Sequence, residues 1–147
     1  MISSLLVVCT GNICRSPMAA ALFAERAAQA GKELEVASAG TAALIGRPSP
    51  AEAVELMAER GLDISGHRGQ LITEPLARRY ELILVMEIEQ QRYLEAYWPT
   101  LRGRVRLLGE HANEAILDPY GRSKESYRKS LAQIEEGVTH WSGMLLQ

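Results

Sequence analysis

The sequence predicts an α/β fold: a four-stranded parallel sheet flanked by helices on both faces, with an anion-binding loop after the first strand. Three observations carry this prediction. Leu5-Leu6-Val7-Val8 is apolar at every position, as a central strand covered on both faces must be. A helical stretch from about Pro17 to Ala30 separates that run from a second one at Leu34 to Ser38, and strand-helix-strand order implies a right-handed parallel crossover. Late in the chain, Tyr127, Leu131, Ile134, Val138, Trp141 and Leu145 recur at alternating steps of four and three. They form one apolar stripe that would cover a sheet face.

Each element follows from local chemistry. Ser16 suits an N-cap and Pro17 a first helical position, so the first helix is expected to start there; Gly31 suits the place just past its end. Ser49-Pro50-Ala51-Glu52 reads as a capping box with Ser49 as N-cap, opening a helix that runs to Arg60 and stops at Gly61. Residues 63–70 read as irregular. A short helix near 74–79 precedes a third strand, Glu81 to Met86. Ile88 to Trp98 reads as a helix ended by Pro99, with Tyr97 and Trp98 as packing residues, and Arg104 to Leu108 as a shorter fourth strand. Asp118-Pro119-Tyr120-Gly121 is a polar loop before the last helix, 124–146. The 147 residues show no internal repeat, low-complexity tract or linker and fit one domain, 1–147, with a sizeable core.

The nonapeptide Cys9-Thr10-Gly11-Asn12-Ile13-Cys14-Arg15-Ser16-Pro17 joins the first strand to the first helix. Successive N–H groups in a tight loop of this kind point into one concavity and bind anion oxygens. Gly11 and Asn12 tolerate cramped or left-handed backbone. The helix dipole adds positive potential, and the planar fork of Arg15 can grip two oxygens at once. The same field favours a thiolate at Cys9, from about 8.5 for a free thiol toward the ~3.5–7.5 range of activated ones. A thiolate beneath a bound phosphoryl group is poised for covalent catalysis. A strand-end cysteine that simply packs is the plainer alternative. Arg15, Asn12 and the Ser-Pro helix start argue against it.

Composition narrows the rest. Apolar residues make up 47% and charged residues 23% of the chain, ordinary for a globular protein. A net charge of −2 gives no footprint for nucleic acid. No apolar run reaches the roughly 18 residues of a membrane span, and the first residues lack the pattern of a signal peptide. His67, His111 and His140 are isolated, and neither cysteine has a C-x-x-C partner, so no metal or other cofactor is expected. A catalytic thiol favours a reducing, cytoplasmic setting. A monomer is expected.

The nonapeptide closely resembles the signature of the low-molecular-weight protein tyrosine phosphatases, bacterial branch: Cys-x5-Arg-Ser/Thr with a second cysteine five residues after the nucleophile. Cys9, Cys14, Arg15 and Ser16 match, as does the inner Gly11-Asn12-Ile13-Cys14. The resemblance covers Leu5 to about Gly121 with the final helix in register. It implies hydrolysis of phosphotyrosine through a cysteinyl-phosphate. Thr10, Gly11, Asn12, Ile13, Cys14 and Arg15 would form the phosphate-binding loop. Asp118, in a loop similar to the family's Asp-Pro-Tyr, would be the general acid, and Tyr120 would pack on the substrate ring. Ser16 would hydrogen-bond the Cys9 sulfur. Ser38, in Ser38-Ala39-Gly40, would help hold Asn12, and His67 would buttress the loop from behind. Ala43 and Leu44 stand where eukaryotic members carry an aromatic wall, as in members linked to polysaccharide export. That points to an autophosphorylated bacterial tyrosine kinase as partner and to control of exopolysaccharide. Ile13, Leu44 and Tyr120 would shape the pocket.

Three other functions remain open. Thioredoxin-linked arsenate reduction needs further downstream cysteines, and none follows Cys14. Phosphoarginine hydrolysis goes with a smaller, polar residue where Ile13 stands. A non-catalytic phosphate-binding module would not need Cys9 and Asp118 together. Cys14 has two readings: a packed thiol, or a trap that captures oxidised Cys9 as a disulfide.

Overall fold

The computed structural model describes residues 2–147. Within them β1 (Ser4–Cys9), β2 (Glu35–Gly40), β3 (Leu82–Val85) and β4 (Val105–Leu107) form a sheet in the order β2-β1-β3-β4. All three neighbouring pairs are parallel. The helices are α1 (Arg15–Gln29), α2 (Ala51–Glu59), α3 (Glu74–Arg78), α4 (Ile88–Tyr97) and α5 (Lys124–Leu145), with 3-10 turns at Pro99–Leu101 and Glu110–Ala112.

Because side chains alternate along a strand, the apolar runs feed two cores. Leu5, Val7 and Cys9 of β1, with Leu82 and Leu84 of β3, face Leu22 and Phe23 of α1, Leu56 and Met57 of α2, and α5. Leu6, Val8, Ile83 and Val85 face Ala77 of α3, Leu94 of α4, and Ile72, Tyr80 and Leu101 between elements. All six residues of the stripe on α5 are buried, so that helix closes the larger core.

Three helix starts and strand ends differ from expectation, each for a physical reason. First, α1 begins at Arg15 with Cys14 as N-cap, two residues before the expected start. Ser16 therefore lies inside the first turn, fully buried, and its hydroxyl serves the loop instead of capping the helix. Second, α2 begins at Ala51 with Pro50 as N-cap and without a side-chain cap. No capping box forms at Ser49: its buried hydroxyl has no hydrogen-bond partner among the described residues. Third, β2 runs on to Gly40, because residues 70–72 pair outside it through Gly40 N to Gln70 O and Ile72 N to Gly40 O, both 2.9 Å. Pro99 does end α4, and it also opens the following 3-10 turn.

Candidate active site

The loop after β1 is shaped by one buried asparagine. Asn12 has φ 58°, the left-handed conformation that Asn tolerates better than most residues. Its side chain is fully buried and fully used. The amide nitrogen donates to Ser16 Oγ at 2.8 Å and Ser38 Oγ at 2.9 Å, while the carbonyl oxygen accepts from Gln70 N at 2.8 Å. From behind, His67 Nε2 lies 2.6 Å from the Asn12 main-chain oxygen. A carbonyl only accepts, so Nε2 carries the proton. Gly40 leaves room for this turn: a Cβ there would press into the Thr10 carbonyl oxygen and lie 3.1 Å from Asn12 N.

Cys9 is 2% exposed and sits at the floor of this turn. Asn12 N–H donates to its sulfur at 3.3 Å, and Ser16 Oγ lies 2.9 Å away. Ser16 Oγ already accepts from Asn12, so its own proton is free to go to sulfur. Both contacts suit a sulfur carrying negative charge. Arg15, on the first turn of α1, is also 2% exposed. Its Nη1 donates to Glu87 Oε1 and to the Ile116 carbonyl, each at 2.9 Å; Nη2 lies 3.8 Å from Asp118 Oδ2.

A cavity of about 180 Å³ opens above the sulfur. The loop from Cys9 to Arg15 forms its floor, Ala42 and Leu44 one wall, and Asp118 with Tyr120 the mouth. Asp118 Oδ1 accepts from Tyr120 N at 3.2 Å, an Asx turn that leaves the side chain half-exposed at the rim. Cys14 belongs to the floor, and its thiol reaches Tyr127. It is buried beside Tyr127, with Sγ 3.8 Å from the phenol oxygen, and burial pushes its thiol up to about 12. Cys9 and Cys14 are not bonded to each other.

Every site residue named from the sequence thus lies in or directly behind the cavity. Thr10, Gly11, Asn12, Ile13, Cys14 and Arg15 line it, as do Leu44, Asp118 and Tyr120; Ser16, Ser38 and His67 lie behind and hold the loop. The sequence reading missed Glu87, Gln90, Gln70, Gly40 and Ala42. Two of these had a signal. Glu87 and Gln90 have the spacing of an N-cap and its N3 partner just after the third strand, and open α/β sheets place ligands at the carboxyl ends of their strands.

Similarity to known proteins agrees with this geometry. Residues 4–147 match the profile of the low molecular weight phosphotyrosine protein phosphatase family. A probable low molecular weight protein-tyrosine-phosphatase, EpsP of Ralstonia solanacearum, is 47% identical over 141 residues, 96% of this chain and 94% of that one. The structure of Vibrio vulnificus Wzb in complex with benzylphosphonate superposes with a TM-score of 0.92 at 36% identity, covering 99% of this chain and 100% of that one. YwlE of Bacillus subtilis, described as an arginine phosphatase, reaches a TM-score of 0.91 at 30% identity over 97% of this chain and 95% of that one. With a profile match across nearly its whole length and relatives of this identity, the chain belongs to the low molecular weight phosphotyrosine protein phosphatase family.

Proposed function

We propose that this enzyme hydrolyses phosphotyrosine in proteins in two steps, with the chain acting as one domain. The observation that carries the reading is a sulfur at the cavity floor that accepts from Asn12 N–H and lies 2.9 Å from Ser16 Oγ, with Arg15 lining the same cavity and a carboxyl group at the rim. The Cys9 thiolate attacks phosphorus in line with the ester oxygen. A sulfur–phosphorus bond forms as the phosphorus–oxygen bond breaks, and Asp118 gives its proton to the departing phenolate. Loop amides and Arg15 hold the equatorial oxygens through both steps. Water, giving a proton back to Asp118, then attacks the cysteinyl-phosphate, releasing phosphate and the thiolate. The Ser16 hydroxyl, donating to sulfur, eases that departure.

The aliphatic walls, Ile13 and Leu44, together with the Tyr120 ring at the mouth, suit a flat aromatic ester better than a charged guanidinium phosphate. The test is turnover of matched phosphotyrosine and phosphoarginine peptides. Faster hydrolysis of the phosphotyrosine peptide is expected, and a preference for phosphoarginine would reassign the substrate. We further propose that the partner is an autophosphorylated bacterial tyrosine kinase in exopolysaccharide control, met in the cytoplasm by a monomeric phosphatase; the aliphatic cavity wall at Leu44 supports this reading. A pull-down with the Cys9→Ser protein from its native host should recover a tyrosine-phosphorylated kinase. Recovery of other phosphoproteins alone would discard that partner.

A further inference from the structure

The phosphate loop is held on one side by Ser38, His67 and Gln70. Its other side meets the start of α4, where Glu87 and Gln90 contact it. Gln90 is 5% exposed. Its Oε1 accepts from Met86 N at 2.8 Å and from Glu87 N at 3.0 Å; its Nε2 donates to Thr10 Oγ1 at 3.0 Å. Glu87 is the N-cap of α4, and its Oε1 is 2.9 Å from Arg15 Nη1. Thr10 and Arg15 are the first and last residues of the loop.

We propose that Gln90 is a positioning residue for phosphoryl binding, setting both ends of the loop from a single buried amide. At the first end it fixes the Thr10 side chain. The Thr10 carbonyl accepts from Ala42 N at 3.0 Å, so Thr10 is tied to β2's side and to α4 together. That double tie holds the peptide between Thr10 and Gly11, which lines the cavity where the phosphoryl group would bind. At the other end Gln90 fixes the Glu87 backbone and, through it, the carboxylate that aligns Arg15. The Glu87 carboxylate engages the guanidinium directly. Without Gln90, the N–H groups of Met86 and Glu87 lose their acceptor, and neither end of the loop keeps its orientation. The contact with Thr10 joins residues 80 apart in sequence, which is more than helix capping requires.

This inference rests on the catalytic reading above, and the experiment separates the two. Kinetics on p-nitrophenyl phosphate and phenyl phosphate, with inorganic phosphate as competitive inhibitor, are measured for the parent, Gln90→Met, Thr10→Val and the double variant. Circular dichroism and Tm report folding. Thr10 is exposed, so Thr10→Val folds even if Gln90→Met does not. Thr10→Val should lower kcat/KM about tenfold, the loss of one hydrogen bond expressed in the transition state, and Gln90→Met, which removes three, by at least as much. The loss should be equal for good and poor leaving groups, and the inhibition constant for phosphate should rise several-fold. The double variant should lose little more than the worse single one. A parent inactive on both esters overturns the catalytic reading and this inference together. An active parent whose losses multiply, or whose Thr10→Val form binds phosphate as tightly as before, overturns this inference alone.

Discussion

At the scale of single residues, two groups carry opposite kinds of dependence. Cys9 is the proposed nucleophile at the cavity floor, so Cys9→Ser should lower kcat at least about 10³-fold while inorganic phosphate still binds. Near-parent turnover of p-nitrophenyl phosphate by that variant would end the covalent mechanism. In the proposed mechanism Asp118 acts on the leaving oxygen alone. Asp118→Ala should therefore cost phenyl phosphate about 10²–10⁴-fold and p-nitrophenyl phosphate, whose phenolate departs unaided, far less. Equal losses would take the acid role away from it. Cys9, Asn12 and Arg15 were legible in the sequence because the loop is contiguous and each residue type has one evident use there. Asp118 was legible only by resemblance, since an Asp-Pro pair is otherwise a turn. Glu87 and Gln90 went unread because their partners, Arg15 and Thr10, are 72 and 80 positions away, and no local pattern announces a contact at that distance.

At the scale of elements, interiors were legible and ends were not. Periodicity located every helix and strand, but caps depend on where a hydroxyl finds its partner in space. Ser16 and Ser49 both look like N-caps in the sequence. One is drawn into the loop by Cys9 and Asn12, and the other is buried with nothing to bond. Ser49→Ala discriminates between the two readings of that helix start. A true N-cap would lose about 1 kcal/mol, whereas removing an unpartnered buried hydroxyl should leave stability unchanged or raise it by about 0.5 kcal/mol. Denaturant titration of the variant decides. Gly137 on α5 gives the opposite contrast. Helix propensity alone would favour Ala there by about 1 kcal/mol. A Cβ, however, would lie 2.7 Å from the Leu108 carbonyl oxygen and 2.8 Å from Leu108 Cγ. Overpacking of about 1–3 kcal/mol should win, and Gly137→Ala should lower Tm by a few degrees. A higher Tm would show that α5 can shift away from Leu108 at little cost.

At the scale of the whole molecule, the apolar strands made the sheet legible: β1, buried on both faces, carries the loop at its carboxyl end, and the larger core continues into that loop through Ile13 and Cys14. The larger core also encloses titratable groups, which makes stability depend on pH. Cys14 and Tyr127 face each other under α5, 4% and 1% exposed. Burial pushes the Cys14 thiol from 9.0 up to about 12. It pushes the Tyr127 phenol up as well, helped by the neighbouring Cys14. Tyr80, buried in the smaller core with the Glu35 carboxylate nearby, shifts in the same direction. In each case the folded chain holds a proton that the unfolded chain releases earlier. The native state therefore binds more protons above about pH 9, and stability falls as pH rises. For Cys14 the contribution is complete below pH 9 and is lost between 9 and about 12, at about 1.4 kcal/mol per pH unit for one proton. Unfolding free energies of the parent and of Cys14→Ser, measured from pH 8 to 11, should converge as pH rises, because the variant lacks this proton. Parallel curves would mean that Cys14 ionises in the folded chain as readily as in the unfolded one, and that the core beneath the loop admits water.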